Sequence, residues 1–153
     1  MKWLKNDLEK YGQAKEYIDT LLIPLIPFRM ADTREAEKSA QQAEGISIIA
    51  NEIEKELTGR VLLAPPFHYL QTGDRTLEVR RVNEWAAEMK EQPFEHIFLL
   101  TFDSSWKKLE KELDSSLIWI PALQLENFHT ADSRSMIREQ VGQITGLIRS
   151  YWQ

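Results

Sequence analysis

Short, continuous apolar runs alternate along this chain with longer stretches whose apolar residues recur every three or four positions. Ile46, Ile49, Ala50, Ile53 and Leu57 stand at i, i+3, i+4, i+7 and i+11, one face of a helix that Gly59 closes. Asp32 with Glu35 has the spacing of a helix cap upstream, and an alanine-rich arm (Ala36, Ala40, Ala43) leads to Gly45, where a break is expected. A first helix is predicted from about Asp7 to Tyr17, capped by Asn6 with Glu9. Val82, Trp85, Ala86 and Met89 share a helical face that Thr76 can cap. Trp106, Leu109 and Leu113 do the same behind Asp103 or Ser104, and Ile137, Val141, Ile144 and Ile148 behind Asp132.

The apolar runs are Leu21 to Ile26, Val61 to Ala64, His96 to Thr101 and Leu117 to Ile120. Strands that are apolar throughout are covered on both faces, which is the habit of parallel sheets. Pro24 lacks a ladder donor and argues for a position near the end or edge of its strand. Pro65-Pro66 stops the second, and Phe67 to Arg75 reads as a loop of aromatic and turn residues. A helix followed by four strand-helix pairs implies an α/β fold, a three-layer α/β/α sandwich with a four-stranded, mostly parallel sheet, in one domain over residues 1–153. The strand order expected from doubly wound sheets is 2-1-3-4.

Composition narrows the chemistry. With 153 residues the chain can bury a core unaided, and the absence of cysteine removes disulfides, thiolate metal sites and cysteine nucleophiles. The net charge is −5 and no region is basic, so the cationic footprint of a nucleic-acid binder is missing. The N-terminus turns charged at once, unlike a signal peptide, and the longest apolar run, Leu21 to Phe28, is too short to span a bilayer. A cytoplasmic protein without a transmembrane segment is expected.

Right-handed crossovers put the loops after all four strands along one edge, where ligands bind in such sheets. The residues there are Phe28 and Arg29; His68, Tyr69, Thr72 and Asp74; Asp103, Ser104 and Ser105; Glu126 and His129. Arg29, His68, Tyr69 and Asp103 are the candidate ligand-binding residues. His68, Asp103, Glu126 and His129 are an alternative metal set, since imidazole and carboxylate suit Zn²⁺, Mn²⁺ or Fe²⁺, although their spacing is not that of a metal motif. Taken singly, Asp103 reads as a helix cap, each histidine as a loop residue or strand end, and Arg29 as an ion-pair residue. No glycine-rich phosphate loop follows the first strand, and Ser104-Ser105 lacks the glycines of a nucleophile elbow. No cofactor is expected. Trp85 and Trp106 belong to the core, while Trp3 and Tyr151-Trp152 either pack onto the body or form a docking patch that would allow a homodimer.

Met1-Lys2-Trp3, the segment Ala14 to Thr20 running into Leu22-Ile23-Pro24-Leu25, and Leu63-Ala64-Pro65-Pro66-Phe67 resemble the YpiF-like proteins of spore-forming Gram-positive bacteria. That family has no assigned catalytic residues, and its genes tend to lie beside those of the menaquinol-cytochrome c reductase, so the resemblance implies a respiratory connection. The strand order is also remotely similar to that of creatininase-like metal amidohydrolases. Their metal motifs are replaced here by Ile26-Pro27-Phe28-Arg29-Met30-Ala31-Asp32 and Thr101-Phe102-Asp103-Ser104-Ser105-Trp106, so the ligands that would hold a metal-activated water are gone. The reading that results is a non-enzymatic binding or accessory protein for a protein partner or small ligand. The alternative is a metal-dependent amidohydrolase-like enzyme with a rearranged site.

Overall fold

The structure is a computed structural model that describes residues 1–124 and 127–153. Its elements run α1 (Lys5–Gln13), β1 (Thr20–Phe28), α2 (Thr33–Glu56), β2 (Val61–Leu63), β3 (Phe67–Leu70), α3 (Arg75–Met89), β4 (His96–Thr101), β5 (Ser116–Trp119) and α4 (Ala131–Tyr151), with 3₁₀ turns at Lys15–Tyr17 and Ser104–Glu112. All strand pairings are parallel. The sheet order is β2-β1-β4-β5, which is the expected 2-1-3-4, and β3 adds a fifth strand beside β1.

Two expectations are corrected together: Pro24 marks neither an end nor an edge, and the stretch from Phe67 expected as a loop opens with β3. β1 is interior, as the expected order requires, flanked by β4 on one side and by both β2 and β3 on the other. Leu22 opposes Leu63 and Leu25 opposes Phe67, so Ala64, Pro65 and Pro66 stand against only Ile23 and Pro24. β2 and β3 are thus one strand interrupted by a bulge. The backbone groups of Thr20 and Leu22 face that side, since the Thr20 N–H donates to Arg60 O at 3.2 Å and Leu22 O accepts from Ala64 N at 2.9 Å. By alternation Pro24 faces it too. Its missing donor therefore falls at the prolyl break, where no ladder bond is lost, and a central position is tolerated. The same break hid β3, because four residues after two prolines, with a glycine turn behind them, look like a loop.

The helix boundaries shift for local reasons. α1 starts at Lys5 behind Leu4, which makes no side-chain cap, and the stretch expected to continue it to Tyr17 tightens into a 3₁₀ turn. Asp32 caps α2 as expected, accepting from the N–H groups of Arg34 and Glu35. α2 runs unbroken through the buried Gly45, where an added Cβ would lie in ordinary contact with Phe102 and Phe128 at 3.4 and 3.5 Å. The caps of α3 and α4 are Asp74 and Thr130 rather than Thr76 and Asp132, while Asp103 caps the 3₁₀ helix.

Alternation along β1 feeds two cores. Leu22 and Ile26 point to one that α2 and α4 close with Ile46, Ile49, Ile53, Ile137, Val141, Ile144 and Ile148. Leu21, Ile23 and Leu25 point to the other, closed by Tyr11 of α1, Val79, Val82 and Ala86 of α3, and Trp106. The three-layer sandwich follows. Chain ends are held to this body. The Met1 amino group donates to Val61 O at 2.8 Å and pairs with the buried Glu54 at 2.7 Å, covering the outer edge of β2. Trp152 Nε1 donates to Thr20 Oγ1 at 2.8 Å, and the Arg60 guanidinium lies 4.0 Å from the Trp152 ring centre.

α4 carries Gly142 and Gly146 with nothing within 4 Å of an added Cβ. A mid-helix glycine costs about 0.5–1 kcal/mol relative to alanine. The double variant Gly142→Ala/Gly146→Ala is therefore expected to gain roughly 1–2 kcal/mol and to raise Tm by roughly 2–8 °C in a calorimetric scan.

Candidate functional site

At the carboxyl edge of the sheet the expected residues separate by face. His68 and Tyr69 are neighbours in β3, so they point to opposite sides, and Tyr69 is buried where His68 is exposed. Tyr69 enters the core closed by α3. Its hydroxyl donates to Asp103 Oδ2 at 2.8 Å and accepts from Trp106 Nε1 at 2.8 Å. Asp103 Oδ1 accepts from the Ser105 N–H at 2.9 Å, and the Asp103 N–H donates to Thr101 Oγ1. Arg75 lies over the Tyr69 ring, donates through Nε to Ser105 Oγ at 2.9 Å and stands 3.8 Å from Asp103 Oδ2. Burial, reinforced by the charge and bond of Asp103 against the opposing bond from Trp106, holds the Tyr69 hydroxyl far above its ordinary pKa. It is a permanent donor. The network is satisfied from within: it brings Tyr69 and Asp103 together and fastens the 3₁₀ helix and α3 to the ends of β3 and β4.

On the other face His68 lines a cavity of about 510 Å³ with Ile26, Ala43, Glu44, Ser47, Ile48, Pro66, Phe128 and His129. Ile48, Phe128 and His129 also line a neighbouring cavity of about 360 Å³, whose walls are Glu52 and Glu56 from α2 and Arg134, Ile137, Arg138 and Val141 from α4. The two form a trough that passes over α2 from β3 to α4. Its floor is apolar; α2 lines it with Glu52, paired with Lys55 at 3.4 Å, and Glu56, 3.9 Å from Arg149, and α4 lines it with Arg134 and Arg138. Both volumes fall within the range of ligand pockets.

Arg29 stands apart at the end of β1, with its N–H donating to Ser39 Oγ at 3.2 Å and its Nε shielded from solvent without a partner among the described residues. It lines neither cavity. Of the alternative metal set, His68 and His129 share a cavity, Asp103 is engaged in the network on the opposite face, and Glu126 lies outside the described residues. Among the described residues, the group of three whose donor atoms approach one another is instead Asp19, Glu95 and His96, at the opposite edge of the sheet. Sequence reasoning missed Ile48, Phe128, Arg134 and Arg138. The first reads as ordinary helix filling, and the last two become a wall only when α4 is laid beside α2.

Fold and site together define a three-layer α/β protein with an open amphipathic trough at the carboxyl edge of a parallel sheet. The chain belongs to the family described as "Protein of unknown function (DUF2487)", which matches residues 9–152. It is 30% identical to the "Uncharacterized protein YpiF" of Bacillus subtilis (strain 168) over 152 residues, covering 99% of this chain and 98% of that protein. No solved structure matches it. Among the described residues no helix is long and apolar enough to cross a membrane.

Removing the Tyr69 hydroxyl leaves Trp106 Nε1 and Asp103 short of a partner in a buried setting. Tyr69→Phe is expected to lower stability by about 1–3 kcal/mol, read as a reduced urea midpoint at unchanged slope. A loss below about 0.5 kcal/mol would show that Asp103 and Trp106 re-pair without it.

Proposed function

We propose that this is a cytoplasmic, non-enzymatic binding protein whose trough receives an amphipathic segment of a protein partner. The observation that carries the reading is the trough itself, where Ile48 and Phe128 offer apolar contact between the Glu52 and Glu56 side on α2 and the Arg134 and Arg138 side on α4. A closed pocket would suit a small molecule; an open channel with two charged walls suits an extended or helical segment that presents apolar anchors and both signs of charge. His68 and His129 extend it toward β3. The internal pairing of Tyr69 and Asp103 supports binding over catalysis, because the carboxylate and hydroxyl nearest the edge are occupied by each other. The metal-dependent alternative draws support from His68 and His129 sharing a cavity, and it would need a third ligand other than Asp103. The respiratory connection implied by family resemblance makes the menaquinol-cytochrome c reductase the first partner to try.

The test places a photo-crosslinking residue at the exposed Arg138 position and compares wild type with Ile48→Asp, with folding of each checked by circular dichroism. A defined partner is expected to be captured by wild type and by the network variant Tyr69→Phe. Ile48→Asp should weaken capture roughly 30-fold or more, as loss of an interface anchor does. Equal capture by the folded Ile48→Asp protein would remove the trough from consideration.

A further inference from the structure

We propose that Asp19, Glu95 and His96 form a binding site for a divalent transition-metal ion, with Zn²⁺ as the best-suited ion, at the amino edge of the sheet. The site is separate from the trough. Asp19 immediately precedes β1 and His96 opens β4, and the pairing of these strands brings residues far apart in sequence side by side. Asp19 O accepts from the N–H groups of Glu95 at 2.8 Å and His96 at 3.1 Å, so the backbone itself sets the juxtaposition. Above it one imidazole nitrogen and two carboxylate oxygens lie within 4.8 Å of one another. Ligands of a tetrahedral Zn²⁺ bound at 2.0–2.2 Å are about 3.4 Å apart, so a side-chain movement of about 1 Å closes the set. Glu95 is exposed and free to make it.

Asp19 is held by hydrogen bonds, as carboxylate ligands usually are, and the His96 ring by aromatic contacts. The His96 ring stacks on Phe98 with centroids 6.3 Å apart and meets the edge of Tyr151 at 6.4 Å. Asp19 accepts from Thr20 Oγ1 at 2.8 Å and from Arg60 Nε and Nη2 at 3.0 Å each. Burial alone would raise its carboxyl, but the bonds from Arg60 and Thr20 and the charge of Arg60 outweigh it and keep the group below its ordinary pKa. A second observation points the same way. Beside Glu95 and His96 is a polar cavity of about 180 Å³, lined also by Lys90, Asp114, Ser115 and Ser116, and the buried Ser115 Oγ has no partner among the described residues. That volume has room for water, which supplies the remaining ligands of a three-residue zinc site.

Arg60 is the opposing charge. It contributes +1 against the two carboxylates, so Asp19, Glu95 and Arg60 together carry a charge of −1, and Lys90 and Asp114, which line the cavity, carry opposite charges. A simple Asp19-Arg60 ion pair needs neither Glu95 nor His96, whose donor atoms complete the set that the strand pairing brings together. Imidazole in the set favours Zn²⁺ over Mg²⁺ or Ca²⁺.

The chain has three histidines, His68, His96 and His129, which makes the test decisive. Tag-free, EDTA-stripped protein is titrated with ZnCl₂ and followed by Tm and by calorimetric stoichiometry. One equivalent should bind, with a saturable rise of roughly 5–10 °C at 100 times Kd. Glu95→Gln and His96→Phe, the latter keeping the ring stack, should each abolish the rise while folding as wild type in its absence. His68→Ala and His129→Ala should leave it intact, and MgCl₂ should produce none. No saturable shift, or a shift lost with His68 or His129 and kept by His96→Phe, overturns the proposal; the trough reading stands or falls separately, on Ile48→Asp.

Discussion

The molecule is organised around one backbone constraint: β1 is buried on both faces and paired on both edges, yet it contains Pro24 and Pro27, which cannot donate. Every unpaired polar group in such a strand would be costly, so the neighbours must be arranged around the two gaps. On one edge Pro24 is matched by the Pro65-Pro66 bulge between β2 and β3. On the other, Pro27 lies beyond the last paired residues, Pro24 and Leu100, and its carbonyl is taken by Ser39 Oγ at 3.2 Å. The proline positions in one strand are thus answered by breaks and ends in the strands beside it.

From that strand the rest is laid out by alternation. Two cores of comparable size are sealed by different helices, and the edge residues inherit the division. His68 and Tyr69 illustrate its force, since adjacent positions in β3 serve opposite layers: one opens to a trough between α2 and α4, the other is locked under Trp106 and Arg75. Charged and polar residues at the carboxyl edge therefore do not pool into one centre. They divide into a self-contained brace and an open surface.

The two edges of the sheet also differ in what holds them. The carboxyl edge of the α3 layer is braced by the Tyr69-Asp103-Trp106 bonds. The amino edge is tied by Asp19, Arg60, Thr20 and Trp152, which anchor the end of α4 to the start of β1 through hydrogen bonds and a cation-π contact. The aromatic residues near the chain's end are therefore engaged with their own body, with Tyr151 edge-on to Phe98 at 4.9 Å, while Trp3 remains more than half exposed at 55%.

Apolar periodicity by itself determined the α/β class, the parallel character of the sheet and the faces of α2, α3 and α4, because burial of a stripe or a run is a local property of sequence; the order of the four strands came from the habit of doubly wound sheets, and the pairing bears it out. Caps at Asp32 and Asp103 were legible for the same reason, each needing only a side chain two or three residues from an amide. β3, the tolerance of Pro24 in the middle of β1 and the continuity of α2 through Gly45 were not legible, since each depends on what the neighbouring elements supply: a bulge opposite a proline, or the packing of Phe102 and Phe128 beside the helix. The site divided in the same way. Sequence named the edge residues His68, Tyr69, Asp103 and His129, but only the tertiary structure decided which of them share a face, because a pleat turns neighbours apart and a crossover brings residues such as Asp19 and His96 together.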